Sequence, residues 1–181
     1  MTIQNTLRRF GLLALLAGAA VLTGCATSAN RDAMAADSIA SSKKNPYTLS
    51  IRTGGGNETS ALGSSEISND DLRAAIEASV KKTALFKEVV QGKSGDYELS
   101  VSVARLTKPM FGASFTVEME AGWSLIKTSD KSVVLRKSIT SSHTASMGDS
   151  LVGVTRLRLA VEGAARNNIK QGLEAIAALN L

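Results

Sequence analysis

The feature that most constrains the fold of this chain is a strict alternation of apolar and polar residues in two central segments. In the first segment the apolar positions are Tyr97, Leu99, Val101 and Val103. In the second they are Phe115, Val117, Met119, Ala121, Trp123 and Leu125. Successive side chains of a strand point to opposite faces, so each segment predicts a strand with one face on a core and one in solvent.

Two other segments have the three-to-four-residue spacing of a helix. Ser68 and Asp71 form a capping-box-like pair, which predicts a helix that starts at Ser68 and ends near Thr83. Its apolar stripe consists of Leu72, Ala75, Ile76, Ser79 and Val80. A longer stripe predicts a C-terminal helix, with Val154, Leu157, Val161, Ala165, Asn168, Gly172, Ile176 and Leu179. Because they lack side chains, Gly163 and Gly172 would let this helix pack closely on a sheet.

Shorter strand patterns complete the order of elements. Residues 47–53 and 85–90 each predict a strand, and Val133, Leu135 and Ile139 continue the alternation less cleanly. The order is therefore strand, helix, strand, three longer strands and a final helix. We expect an α+β two-layer sandwich, with both helices on one face of a mostly antiparallel sheet.

Residues 1–24 have the features of a secretory signal: Arg8 and Arg9, then an apolar run too short to span a bilayer, then small residues. Residues Leu22, Thr23, Gly24 and Cys25 resemble the lipobox of bacterial lipoproteins. The resemblance implies cleavage before Cys25, a thioether to diacylglycerol on its sulfur, and a fatty acyl chain such as palmitate on its new amine. The alternative is that Cys25 is one more small residue at an ordinary cleavage site.

The same resemblance predicts where the protein is located and how it is divided. An Asp after the lipidated cysteine retains such lipoproteins in the inner membrane, so Ala26 favours the outer membrane, facing the periplasm. We therefore divide the chain into a signal peptide (1–24), a lipidated flexible tether (25–45) and a single domain (46–181). The alternative for the tether is a short helix around residues 34–42.

Composition excludes several classes of function. Cys25 is the only cysteine, so a lipidated chain has no thiol left for a disulfide or a redox site. The formal net charge is +5, and removal of Arg8 and Arg9 with the signal would lower it to +3, which is too mild to favour nucleic acid binding. His143 is the only histidine and has no cysteine partners, so we expect no metal site and no cofactor.

One tetrapeptide, Gly148-Asp149-Ser150-Leu151, is similar to the sequence that names the GDSL esterases. In that family the serine lies near the start of the domain and its histidine lies well downstream. Here no histidine follows Ser150, and His143 precedes it. A serine without a positioned base is a poor nucleophile, so a turn that caps the C-terminal helix is the preferred interpretation.

The loop between the two alternating segments carries an apolar tip. Pro109, Met110 and Phe111 lie where loops are usually polar. An exposed apolar tip would mark contact with a partner or a membrane. Alternatively, Met110 and Phe111 fold back to close one end of the core.

Four segments together resemble the ABC-type transport auxiliary lipoproteins. They are "TALFKEVV", "DYELSVSVARL", "VEMEAGWSLIKTSDKSVVLRKSIT" and "NNIKQGLEAIAAL". The resemblance lies in the order of the elements and transfers no catalytic residue. It implies a non-enzymatic, membrane-anchored adaptor in an envelope transport or assembly system, with a protein partner that the sequence does not specify. The alternatives are a module that binds a lipid or small ligand and, less favoured, a hydrolase that uses Ser150.

Overall fold

A computed structural model describes residues 27–59 and 65–181 of the chain. The predicted signal peptide, Leu22, Thr23, Gly24 and Cys25 lie outside the described residues. The cleavage site and the lipid on Cys25 therefore stay predictions from the sequence.

Five strands form one sheet in the order β2-β1-β3-β4-β5. Their bounds are β1 Asn45–Gly54, β2 Phe86–Val90, β3 Tyr97–Thr107, β4 Phe115–Lys127 and β5 Val133–Ala145. The last three form an antiparallel meander, whereas β1 is parallel to both of its neighbours, β2 and β3. Most paired residues lie in the antiparallel ladders, as the alternation predicts.

The predicted apolar faces of β3 and β4 are the buried faces. All six apolar positions predicted in β4 are buried, whereas Thr116, Glu118 and Gly122 between them are exposed. In β3 the alternation holds to Val101 and then weakens, because a register irregularity follows Val103. Val103 is accordingly only half-buried.

Three helices lie on the buried side of the sheet: two long helices pack on the strands, and a short helix packs on these two helices. They are α1 Arg31–Met34, α2 Asn69–Thr83 and α3 Gly153–Ala177. The hydroxyl of Ser68 caps α2 by accepting from the backbone N–H of Asp71, and α2 ends at Thr83 as predicted. The α+β two-layer architecture is therefore confirmed. None of the helices in the described part of the chain is both long and apolar enough to cross a membrane.

Strand directions gather the longer loops at one end of the molecule. Because β1 and β3 are parallel and β4 and β5 alternate in direction, residues 108–114 and 146–152 lie at the same end. We call these two loops, with the N-termini of α2 and α3, the loop end. The opposite end carries the turns at 91–96 and 128–132, and we call it the turn end.

Residues 27–45 correct the expectation of a flexible tether. The segment runs across the helical layer, from the loop end beside Ser65 to the turn end beside Leu179. Between these points the backbone N–H of Ala36 donates to the Ser79 hydroxyl over 2.9 Å, and Met34 is fully buried. Only a few small apolar residues anchor the segment, so its sequence shows no periodicity that would predict its packing.

Met34→Ala tests whether this segment belongs to the domain. We expect a loss of about 2 kcal/mol in the free energy of unfolding, because the substitution empties a fully buried site. Urea unfolding followed by the fluorescence of Trp123 measures it. Ser38→Ala, in the same segment, provides a mild control. An unchanged urea midpoint for Met34→Ala would show that the segment is a tether and not part of the domain.

Candidate functional site

The tip of the β3–β4 loop is exposed and apolar. Met110 is 92% exposed and Phe111 is 85% exposed, whereas Pro109 is half-buried at the base of the tip. The alternative in which Met110 and Phe111 close the core is therefore wrong. Phe115 takes that place instead, with 7% exposure.

A second apolar tip lies at the same end, in the β5–α3 loop. Leu151 is 80% exposed and Val152 is 57% exposed, and Met147 in the same loop is also exposed. This tip is not among the sequence predictions, because residues 148–151 attract attention for their resemblance to an esterase motif. The usable signal was Leu151-Val152, an apolar pair between a turn and the first residue of a helix.

Arg156 of α3 holds the two loops together. One guanidinium nitrogen donates to the carbonyls of Ser150 at 2.9 Å and Leu151 at 3.0 Å. The other donates across to the Gly112 carbonyl at 3.4 Å, and the group stacks 5.3 Å from the centroid of the Phe115 ring. Arg156 is only 7% exposed, so the two tips are joined through a buried charge.

A second polar connection joins this end to the first described residue. Lys108 forms an ion pair with Glu66 and donates to the Ser65 carbonyl at 3.1 Å. Ser65 in turn donates its hydroxyl hydrogen to the Thr27 carbonyl at 2.9 Å. Thr27 therefore lies beside the base of the Met110–Phe111 loop.

The Gly-Asp-Ser sequence forms a turn, but it does not cap α3 as expected. Val152 is the N-cap residue and makes no side-chain cap hydrogen bond. Asp149 instead accepts from the backbone N–H of Ser146 at 2.7 Å and from its hydroxyl at 3.0 Å. The Ser150 hydroxyl oxygen accepts from the backbone N–H of Val152 at 3.1 Å. Both side chains therefore stabilise the loop itself.

His143 packs under α3, in the space that Gly163 leaves open. A Cβ at Gly163 would lie 2.1 Å from His143 Cδ2. No hydrogen bond joins His143 to Ser150, although both lie among the described residues. Within residues 27–59 and 65–181 no three His, Cys, Asp or Glu side chains are grouped as a metal site would need. The loop end thus presents two exposed apolar tips that Arg156 joins.

We predict that Arg156→Met loosens both tips. Three carbonyls lose their hydrogen-bond donor, so we expect the free energy of unfolding to fall by about 2 kcal/mol. Amide hydrogen exchange should rise at residues 110–112 and 148–152 by more than the general rise that the lower stability causes in β4. Lys170→Met, at an exposed position on the same helix, is the matched control. Unchanged exchange in both loops would show that Arg156 does not join them.

The turn at Asp149 predicts an acid-sensitive loop. The backbone N–H of Ser146, and then its hydroxyl, hold the pKa of the Asp149 carboxyl below its ordinary value of 3.8. A lowered folded-state pKa adds stability above the ordinary value, and that stability is lost as pH falls through the folded-state pKa. The pH dependence of unfolding below about pH 4 should therefore be flatter in Asp149→Asn. Superimposable pH profiles of the two proteins would contradict this.

No family model and no curated protein matches the sequence. The fold is similar to that of protein XCC0632 from Xanthomonas campestris, which has the family designation DUF330. The two sequences are 15% identical, the TM-score is 0.53, and the match covers 75% of this chain and 83% of that chain. Hypothetical protein CT253 from Chlamydia trachomatis is 7% identical, with TM-score 0.53 and coverage of 75% and 100%. A minor lipoprotein from Acinetobacter baumannii is 10% identical, with TM-score 0.42 and coverage of 74% and 95%.

At these identities the first two likenesses show a shared fold and nothing about activity. The third is too loose to support an inference. The chain therefore has a fold that occurs in solved bacterial proteins, and its function has to be argued from its own residues.

Proposed function

We propose that this chain is a non-enzymatic lipoprotein, anchored in the outer membrane through Cys25 and facing the periplasm. There it serves as an adaptor in an envelope transport or assembly system. The lipobox-like sequence from Leu22 to Cys25 supports the anchor. The resemblance to ABC-type transport auxiliary lipoproteins supports the adaptor role.

The observation that carries the adaptor role is the open edge of the sheet at β5. This strand has 13 residues, and among the described residues it pairs on one side only, with β4. Backbone groups on the unpaired side of an edge strand can bind an extended segment of a partner. Arg136 and Lys137 are exposed on the same strand and would favour an acidic partner segment. The other edge, β2, has only five residues.

The alternative of a lipid- or small-ligand-binding module has less support. Side chains fill the space between the sheet and the helices, and Trp123, Ile76 and Leu173 are among those with at most 1% exposure. The larger grooves that the described residues form lie at the surface, such as one of about 310 Å³ beside Tyr47 and Lys127. A hydrolase that uses Ser150 lacks a positioned base, because His143 packs on α3.

Two measurements test the proposal. Labelled palmitate should be incorporated into the protein and be lost in Cys25→Ser, and the wild-type chain should fractionate with the outer membrane. A photoreactive residue at Thr140, exposed on β5, should crosslink one reproducible envelope protein in intact cells. The same residue at Lys81, exposed on α2, is the matched control. Crosslinks at Lys81 alone, or recovery of lipids or glycans only, would contradict the adaptor role.

A further inference from the structure

We infer that the loop end is a membrane-contact surface, and that Met110, Phe111, Leu151 and Val152 enter the interface of the bilayer that holds the anchor. The inference rests on the proposed lipid at Cys25. It goes beyond it, because an anchor alone does not decide which part of the domain meets the membrane.

The chain has little reach between the lipid and the domain. Residues 27–45 are packed across the helical layer, so they supply no slack between the lipid and the domain. Only Ala26 separates Cys25 from Thr27. Two residue steps span at most about 7 Å, so the carbonyl of Thr27 has to lie close to the membrane surface.

Thr27 is joined to the loop end by hydrogen bonds. Thr27 accepts from Ser65, and Ser65 accepts from Lys108, directly before the Pro109–Phe111 tip. Arg156 then joins that loop to the Leu151–Val152 tip. Hydrogen bonds thus connect both tips to Thr27, from which the chain continues to the lipidated Cys25.

The side chains of the two tips are apolar and exposed. Four apolar side chains, between 57% and 92% exposed, project from two loops at one end. Their burial at the headgroup and acyl boundary is favourable in proportion to the apolar area withdrawn from water. Backbone carbonyls usually oppose such insertion, because they lose water. Here Arg156 already donates to the carbonyls of Gly112, Ser150 and Leu151, which lowers that cost.

A membrane fits these observations better than a protein partner at the same end. A partner protein would have to occupy the space between the tips and the bilayer, and the short link at Ala26 leaves no room for a folded domain there. Contact at the loop end also orients the strands away from the membrane. The β5 edge then remains open to a partner.

Site-directed labelling of the full-length lipoprotein tests the inference. Because lipidation uses the sulfur of Cys25, an added cysteine is the only free thiol. Phe111→Cys and Leu151→Cys each receive a nitroxide, and Ser129→Cys at the turn end is the matched control. These three sites are exposed, so the substitutions leave the core intact. Each protein is reconstituted into vesicles of phosphatidylethanolamine and phosphatidylglycerol.

We expect relaxation of the labels at 111 and 151 by lipid-soluble oxygen, with protection from an aqueous nickel chelate. The label at 129 should show the reverse. Mass spectrometry shows whether Cys25 carries the lipid. If it does, and the labels at 111 and 151 are as accessible to the nickel chelate as the label at 129, the membrane contact is wrong and the lipid anchor is still supported. The labels could instead be accessible to the nickel chelate in vesicles but protected from it in native membranes. That result would show that a protein covers the tips, and it would also overturn the inference. A Cys25 without lipid would overturn both the anchor and the membrane contact.

Discussion

Gly172→Ala should lower the free energy of unfolding by about 3 kcal/mol, because it forces a methyl group into a fully packed core. A Cβ at this position would lie 2.5 Å from three carbon atoms of the Trp123 indole. The indole has nowhere to move, since Trp123 is 1% exposed and its Nε1–H donates to Asn168. Alanine favours helix by about 1 kcal/mol over glycine, which offsets only part of the clash.

The matched control is Gly122→Ala, on the outer face of β4. A Cβ there meets no atom closer than the Ser102 carbonyl oxygen at 4.0 Å. We expect this variant to unfold at nearly the wild-type urea concentration, with Trp123 fluorescence as the readout. Equal effects of the two substitutions would show that Trp123 does not depend on the missing side chain at Gly172.

Asn168→Ala should lower the free energy of unfolding by about 3 kcal/mol, because it leaves buried polar groups without hydrogen-bond partners. Asn168 is fully buried between α3 and the sheet. Its side-chain oxygen accepts from Trp123 Nε1 at 2.9 Å, and its side-chain nitrogen donates to the Ile139 carbonyl at 2.8 Å. Removal of the amide takes the partner from both groups at once, inside a region that water does not reach.

Asn167→Ala is the control for this prediction. Asn167 is half-buried, but its hydrogen bond to the Ser142 carbonyl is exposed, so water can replace that bond and we expect little change. A double-mutant cycle of Asn168→Ala with Trp123→Phe isolates the indole bond. The double variant should lose less free energy of unfolding than the sum of the two single variants, because each single variant removes the same hydrogen bond. Strict additivity would contradict the pairing.

The elements of this fold were predictable because each has a local periodic signal. The alternation in β3 and β4, the Ser68 cap and the long stripe of α3 are properties of neighbouring residues, and burial of one face makes that pattern visible. Gly172 was also recognised as a close-packing position. The exposed tip at Met110 and Phe111 was identified as a candidate, although whether it folds back could not be decided locally.

Residues 27–45 were not predictable in the same way. Their packing depends on the groove between two helices that are distant in sequence, so a few alanines and Met34 suffice to hold them. The second tip at Leu151 and Val152 was missed for a related reason. It becomes part of a surface only because the β3–β4 and β5–α3 loops meet at one end.

The sequence by itself determined the order of the elements, the face of the sheet that is buried and the resemblance of residues 22–25 to a lipobox, since these are set by local pattern. The tertiary structure alone decided that β1 is parallel to both neighbours, that residues 27–45 belong to the domain and that the two apolar tips share the end where Thr27 lies. The physical reason is that strand direction and long-range contacts at Arg156, Lys108 and Ser65 bring these parts together, and no local spacing encodes contacts between such distant residues.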